Sequence, residues 1–117
     1  VDGGFTINAA LGILSASLEY SQNIDVDSGT EVIAAVSTGS AQSAFFDYVI
    51  AEGSNVRAGT LMAAWTGVSI TYAETSTQDI GDTSDVDLSA HINGGNVELK
   101  ATTTTNNWSI KTVSKLI

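Results

Sequence analysis

From residue 44 to residue 75 (AFFDYVIAEGSNVRAGTLMAAWTGVSITYAET) apolar side chains fill both phases of a two-residue repeat, which predicts three consecutive antiparallel strands. In the first, Phe46, Tyr48 and Ile50 fall on one face and Phe45, Val49 and Ala51 on the other, with Asp47 as the interruption. In the second, Val56, Ala58, Met62 and Ala64 point one way, and Leu61, Ala63 and Trp65 point the other. An antiparallel strand with one wet face alternates apolar and polar residues, so strands apolar on both sides call for a second cover. The opposite sheet of a sandwich supplies one cover. A neighbouring subunit, or a loop folded back, supplies the other.

The same rule parses the rest of the chain. In residues 3–20 (GGFTINAALGILSASLEY), Phe5, Ile7, Ala9, Leu11 and Ile13 share one phase, and Leu14, Ala16, Leu18 and Tyr20 share the other. That change of phase marks a bulge or a turn. A short helix using Ala10, Leu11, Leu14 and Leu18 is the rival, weakened by Gly12 and the serines. Residues 24–27 alternate briefly. Residues 30–37 set Val32, Ala34 and Val36 against Ile33 and Ala35, a strand expected to be buried on both sides. Turns are expected at Gly53-Ser54-Asn55, Thr66-Gly67 and Asn93-Gly94-Gly95-Asn96, and Gly59 inside a strand predicts close approach by a backbone or an aromatic ring. Strands at 68–73, 86–92, 97–102 and from Trp108 onward complete the pattern. Seven to eight short strands with turns about every ten residues describe an all-β antiparallel sandwich, jelly-roll-like in topology.

One domain over residues 1–117 fits the length, with residues 1–40 as N-terminal strands or an assembly arm and residues 41–117 as the core. Val1 in place of Met, followed by Gly3-Gly4, suggests a fragment or processed product. No cysteine is present, so disulfides and thiolate metal sites play no part, and turns rely on Gly, Ser and Thr because Pro is absent too. Thirteen acidic residues face four basic ones, Arg57, Lys100, Lys111 and Lys115, for a net charge of −9. Nucleic acid binding needs clustered cations and is not expected. Nor does any apolar run approach the roughly 20 residues of a membrane-spanning helix.

Candidate chemistry concentrates in residues 79–87 (DIGDTSDVD), where Asp79, Asp82, Asp85 and Asp87 offer oxygen ligands of the kind Ca²⁺ takes. The spacing is not that of an EF-hand, and the competing reading is an exposed loop whose Asp and Ser side chains cap turns. No cofactor is otherwise expected. Asp25, Asp27 and Glu31 form a second acidic group with the same ambiguity. His91, the lone histidine, lies on the polar phase of its strand with no G-x-S-x-G turn in the chain, so no catalytic residue is assigned. Trp65, Trp108, Tyr48 and Tyr72 would make a sugar platform if exposed, and core or interface anchors otherwise. Asn107-Trp108-Ser109 matches a glycosylation sequon and is read as a chance match.

The runs AFFDYVI (44–50), NVRAGTLMAAW (55–65), ETSTQDIGDTSDV (74–86) and NNWSIK (106–111) resemble the C-terminal β-rich domain of fibre-like structural proteins of tailed bacteriophages. Thr66 stands where that pattern would place an aspartate after the tryptophan, and residues 1–40 lie outside the resemblance. The resemblance implies a non-enzymatic virion component of fibre, tail or decoration type, homo-oligomeric and commonly trimeric, with other virion proteins and a host surface glycan as partners. Burial of doubly apolar strands between subunits fits that implication, and Phe45, Val49, Leu61 and Trp65 are the expected interface residues. A glycan-binding adhesin module, calcium-dependent in one form, is the alternative.

Overall fold

The computed structural model describes residues 10–13 and 16–117. They form nine strands: β1 (Leu11–Ile13), β2 (Ala16–Val26), β3 (Gly29–Ser37), β4 (Ser43–Glu52), β5 (Asn55–Thr66), β6 (Ser69–Ser76), β7 (Asp87–Asn93), β8 (Asn96–Thr103) and β9 (Trp108–Leu116). Every pairing is antiparallel. A six-stranded sheet runs β1-β2-β9-β4-β5-β6 and a three-stranded sheet runs β3-β8-β7. The two antiparallel sheets make an unequal sandwich, six strands against three.

The core lies between the sheets. Phe46, Ile50, Leu61 and Ile110 from the large sheet are fully buried with Val97, Leu99 and Ala101 from the small one. Register decides which phase of each strand goes inward. Gly53, with a positive φ of 57°, makes a two-residue turn that pairs Glu52 with Asn55. From that pair outward, Phe46 lies opposite Leu61, and Tyr48 opposite Gly59. The three strands foreseen at 44–75 are β4, β5 and β6, and the close approach expected at Gly59 is made by the Tyr48 ring.

One expectation changes. β3 is not buried on both sides: a bulge between Val32 and Ala34 turns Ile33, Ala34 and Val36 into the core and leaves Val32 and Ala35 exposed. The opening segment holds strands where it is described, and its phase change falls at the β1–β2 hairpin, with Ile13 opposite Ala16. The readings that rested on Phe5, Ile7, Ala9 and Leu14 lie outside the described residues.

Along β2 the polar residues take the inward row. Ser17, Glu19, Ser21 and Asn23 pair with Leu116, Ser114, Thr112 and Ile110, and those four β9 residues are buried. Hydrogen bonds absorb part of that polarity: Ser21 Oγ donates to the Ile33 carbonyl at 2.8 Å, and Thr112 Oγ1 donates to the Ser21 carbonyl at 3.3 Å. Leu18 and Tyr20 therefore occupy the row facing away from the core.

Candidate assembly face and acidic loop

The outer surface of the six-stranded sheet is built from the phase that the core leaves unused. Lys115, Phe45, Met62 and Ala73 lie side by side across β9, β4, β5 and β6, and one row along stand Tyr20, Val113, Asp47 and Thr60. Val49 follows between Lys111 and Ala58. Solvent reaches 61% of Tyr20, 43% of Val113, 38% of Met62 and 36% of Val49. Polar cover is sparse. The Lys115 ammonium sits 5.1 Å from the centre of the Phe45 ring, shielding it in part, and Thr60 Oγ1 donates to the Asp47 carboxylate at 2.6 Å. A shallow groove bordered by Phe45, Met62, Ala64, Thr71 and Ala73 runs toward the β6 edge.

Of the four residues expected at an interface, Phe45 and Val49 belong to this face. Leu61 and Trp65 do not: at 0% and 6% exposure they are core residues of their own protomer, because β5 presents its odd-numbered phase inward. Trp65 Nε1 donates to the Thr38 carbonyl at 3.1 Å, which fixes the ring there. Met62, Val113 and Tyr20 take the missing places. Their signal in the sequence is the register, which alternation alone does not supply.

The connection from β6 to β7 carries the acidic run and folds back over Arg57. Arg57 Nη1 donates to the carbonyl and hydroxyl of Thr83 at 3.3 and 3.2 Å, and Nη2 to the Val86 carbonyl at 3.1 Å and Glu74 at 3.5 Å. Thr83 and Val86 are buried by this arrangement. Tyr48 donates its hydroxyl to Glu74, and its own ionisation is pushed up to about 12 by burial first and by Glu74 next, with Arg57 opposing. Arg57 is a hub that sequence reasoning missed; a lone cation inside an apolar strand was the available sign.

The aspartates of the loop serve the backbone. Asp79 accepts from Thr83 N at 2.8 Å and Thr83 Oγ1 at 2.5 Å, and these bonds hold its carboxyl below the usual range. Asp82 accepts from Ser84 N and Oγ at 2.9 and 2.6 Å, with the same effect. Asp85 meets Thr105 Oγ1 at 3.4 Å, and Asp87 opens β7 opposite Thr102. The structure uses Asp79 and Asp82 as turn caps and does not draw the four carboxylates together. Among the described residues no three His, Asp or Glu side chains are grouped to hold a metal ion. In the second acidic group, Asp27 beside Asp25 raises the Asp25 pKa, and Glu31 accepts from Asp27 N at 2.6 Å and Asn23 Nδ2 at 3.1 Å.

His91 is exposed on the outer face of the three-stranded sheet, its Nε2 3.1 Å from Ser89 Oγ. The cross-strand neighbour of His91, Glu98, is engaged by Lys100 at 3.6 Å and Asn93 at 3.3 Å. Among the described residues the Ser89–His91 contact therefore has no third group orienting the imidazole. Trp108 is buried, donating Nε1 to Thr105 Oγ1 at 2.9 Å, so neither tryptophan offers a sugar platform. Asn107 adopts a positive φ of 70° in the turn before β9, and its N–H donates to Asp27 at 3.2 Å.

No family model matches the chain. No curated protein matches it either. Among solved structures, the chain is similar to the tailspike protein of Acinetobacter baumannii phage AM24, with a TM-score of 0.46 and 10% identity over 86% of this chain. The match spans 26% of that tailspike's length.

Proposed function

We propose that this chain is a non-enzymatic structural domain of a bacteriophage virion, working as a homo-oligomer and bound to other virion proteins. The observation that carries the assembly role is the outer face of the six-stranded sheet, where Tyr20, Val113, Met62 and Val49 are exposed and no other element among the described residues covers them. Large apolar side chains clustered on one exposed sheet face mark an interaction surface more often than isolated ones do. The virion placement is supported by the sequence resemblance of residues 44–50, 55–65, 74–86 and 106–111 to phage fibre-like domains, which also implies a trimer. Catalysis has no support in the arrangement around His91, where the serine contact lies on an open sheet face. Sedimentation equilibrium of the full chain at micromolar concentration tests the assembly role. The expected result is a mass of two or more chains, and a monomer at all concentrations would overturn the proposal.

A further inference from the structure

The outer face of the six-stranded sheet differs from the rest of the surface in charge as well as polarity. Among its paired outward positions in β2, β9, β4, β5 and β6, the charged residues are Lys111, Lys115 and Asp47. Two of the four cations thus hold paired positions on this face, with one acid at such a position among the described residues. We infer that this face is the contact surface between copies of the chain, packed against the same face of a neighbour; the inference deepens the homo-oligomeric reading above and rests on it.

Three features select another copy as the occupant. In a chain of net charge −9, this is a surface on which copies meet without stacking acid on acid. It is also self-complementary, since it offers both lysines and an aspartate among apolar neighbours, as a face that meets itself requires. A basic partner would be drawn to the acidic remainder of the surface, and an acidic partner would be repelled by it. Size agrees as well. The five strands hold 8 to 12 residues each. At strand spacing of about 4.8 Å and a rise of about 3.3 Å per residue they make a face of about 24 by 30 Å. Stable interfaces bury roughly 800 Å² per partner, comparable with that area. Sheets stacked face to face sit about 10 Å apart, a gap that Phe45, Met62, Val113 and Tyr20 from two copies would fill.

The chain has no cysteine, so a single introduced thiol reports on one position without interference. In the full chain, Val113→Cys is expected to form disulfide-linked pairs under mild oxidation, whereas Ala35→Cys, exposed on the outer face of the other sheet, is not. Val113→Lys and Met62→Lys, both at exposed positions, are expected to weaken association at least 30-fold each by sedimentation while the melting curve of the monomer is kept. An oligomer insensitive to both lysine variants overturns this face and leaves the homo-oligomeric reading standing. A monomeric parent overturns both. If the Val113→Cys variant is a monomer and its new thiol is nonetheless shielded from reagent, the face is covered from within its own chain, and this also overturns contact between copies.

Discussion

The ring of Tyr48 lies across Gly59, its cross-strand partner, so closely that a methyl group on Gly59 would come within 2.6 Å of the Tyr48 hydroxyl oxygen and also strike the Thr75 carbonyl. The second collision is with backbone in the next strand, which cannot swing aside as a flexible side chain can. Gly59→Ala is therefore expected to lower the unfolding free energy by about 2 kcal/mol through overpacking. Urea denaturation followed by tryptophan fluorescence measures it. A neutral substitution would mean that β5 and β6 separate at little cost.

Arg57 ties β5 to the β6–β7 connection through four acceptors on three residues besides its partner Tyr48, over whose ring its guanidinium carbon sits at 6.0 Å. Replacing it with methionine keeps most of the stem but takes the charged donor from the Val86 carbonyl and one of two donors from the Thr83 carbonyl. Arg57→Met should cost about 3 kcal/mol, since hydrogen bonds from a charged donor contribute about 1.5–3 kcal/mol each and not all the loss is additive. Loss of amide protection at Val86, where the N–H donates to the Thr83 carbonyl at 3.1 Å, would locate the damage in the loop. A uniform loss across all strands would contradict a local clamp.

Alternation made the strands legible, because 44–52, 55–66 and 97–103 each keep an apolar phase that no helix would respect. What alternation leaves open is how one strand's phases match the next. A three-residue turn at 53–55 would pair Glu52 with Val56 and set Phe45 and Val49 on the same face as Leu61 and Trp65. The two-residue turn at Gly53-Ser54 shifts β5 by one place, which sends Leu61 and Trp65 into the core and Met62 outward. The acidic loop was legible as a cluster and not as a site, since its spacing says nothing of which oxygens face backbone N–H groups. Asp79 and Asp82 settle on Thr83 and Ser84 because those donors are two to four residues away in sequence.

Tyr48 ties stability to alkaline pH. Its pKa rises from 10.0 to about 12, so the unfolded chain releases this proton before the folded one does. The stabilisation is whole below pH 10 and is lost as pH rises through about 12. Denaturation midpoints across that window should fall more steeply for the parent than for Tyr48→Phe. Parallel slopes would show that Tyr48 ionises as freely in the fold as out of it.

Acid acts on the opposite end of the same network. The carboxyls of Asp79 and Asp82 are held below 3.8 by hydrogen bonds from Thr83 and Ser84, so their stabilisation is present above that value and disappears as pH falls through the lowered pKa values. Asp25 works the other way, since its raised pKa means that protonation relieves repulsion from Asp27. Amide exchange at Thr83 and Ser84 should therefore accelerate below about pH 3.8 ahead of the strands, and Asp79→Asn should bring the faster exchange of Thr83 to neutral pH.

Calcium distinguishes a capped turn from an ion site in the same loop. With Asp79 and Asp82 committed to backbone and hydroxyl donors, a cation would have to displace four hydrogen bonds before gaining their oxygens. Millimolar Ca²⁺ should leave the melting temperature of the parent unchanged, where a bound ion at a hundred times its dissociation constant would add about 2.7 kcal/mol. A calcium-dependent rise that vanished in the double variant Asp82→Ala, Asp85→Ala would show that the carboxylates rearrange around the ion. Because Asp85 and Asp87 make few bonds of their own, the rise would then be expected to survive Asp79→Asn only if those two supplied the ligands.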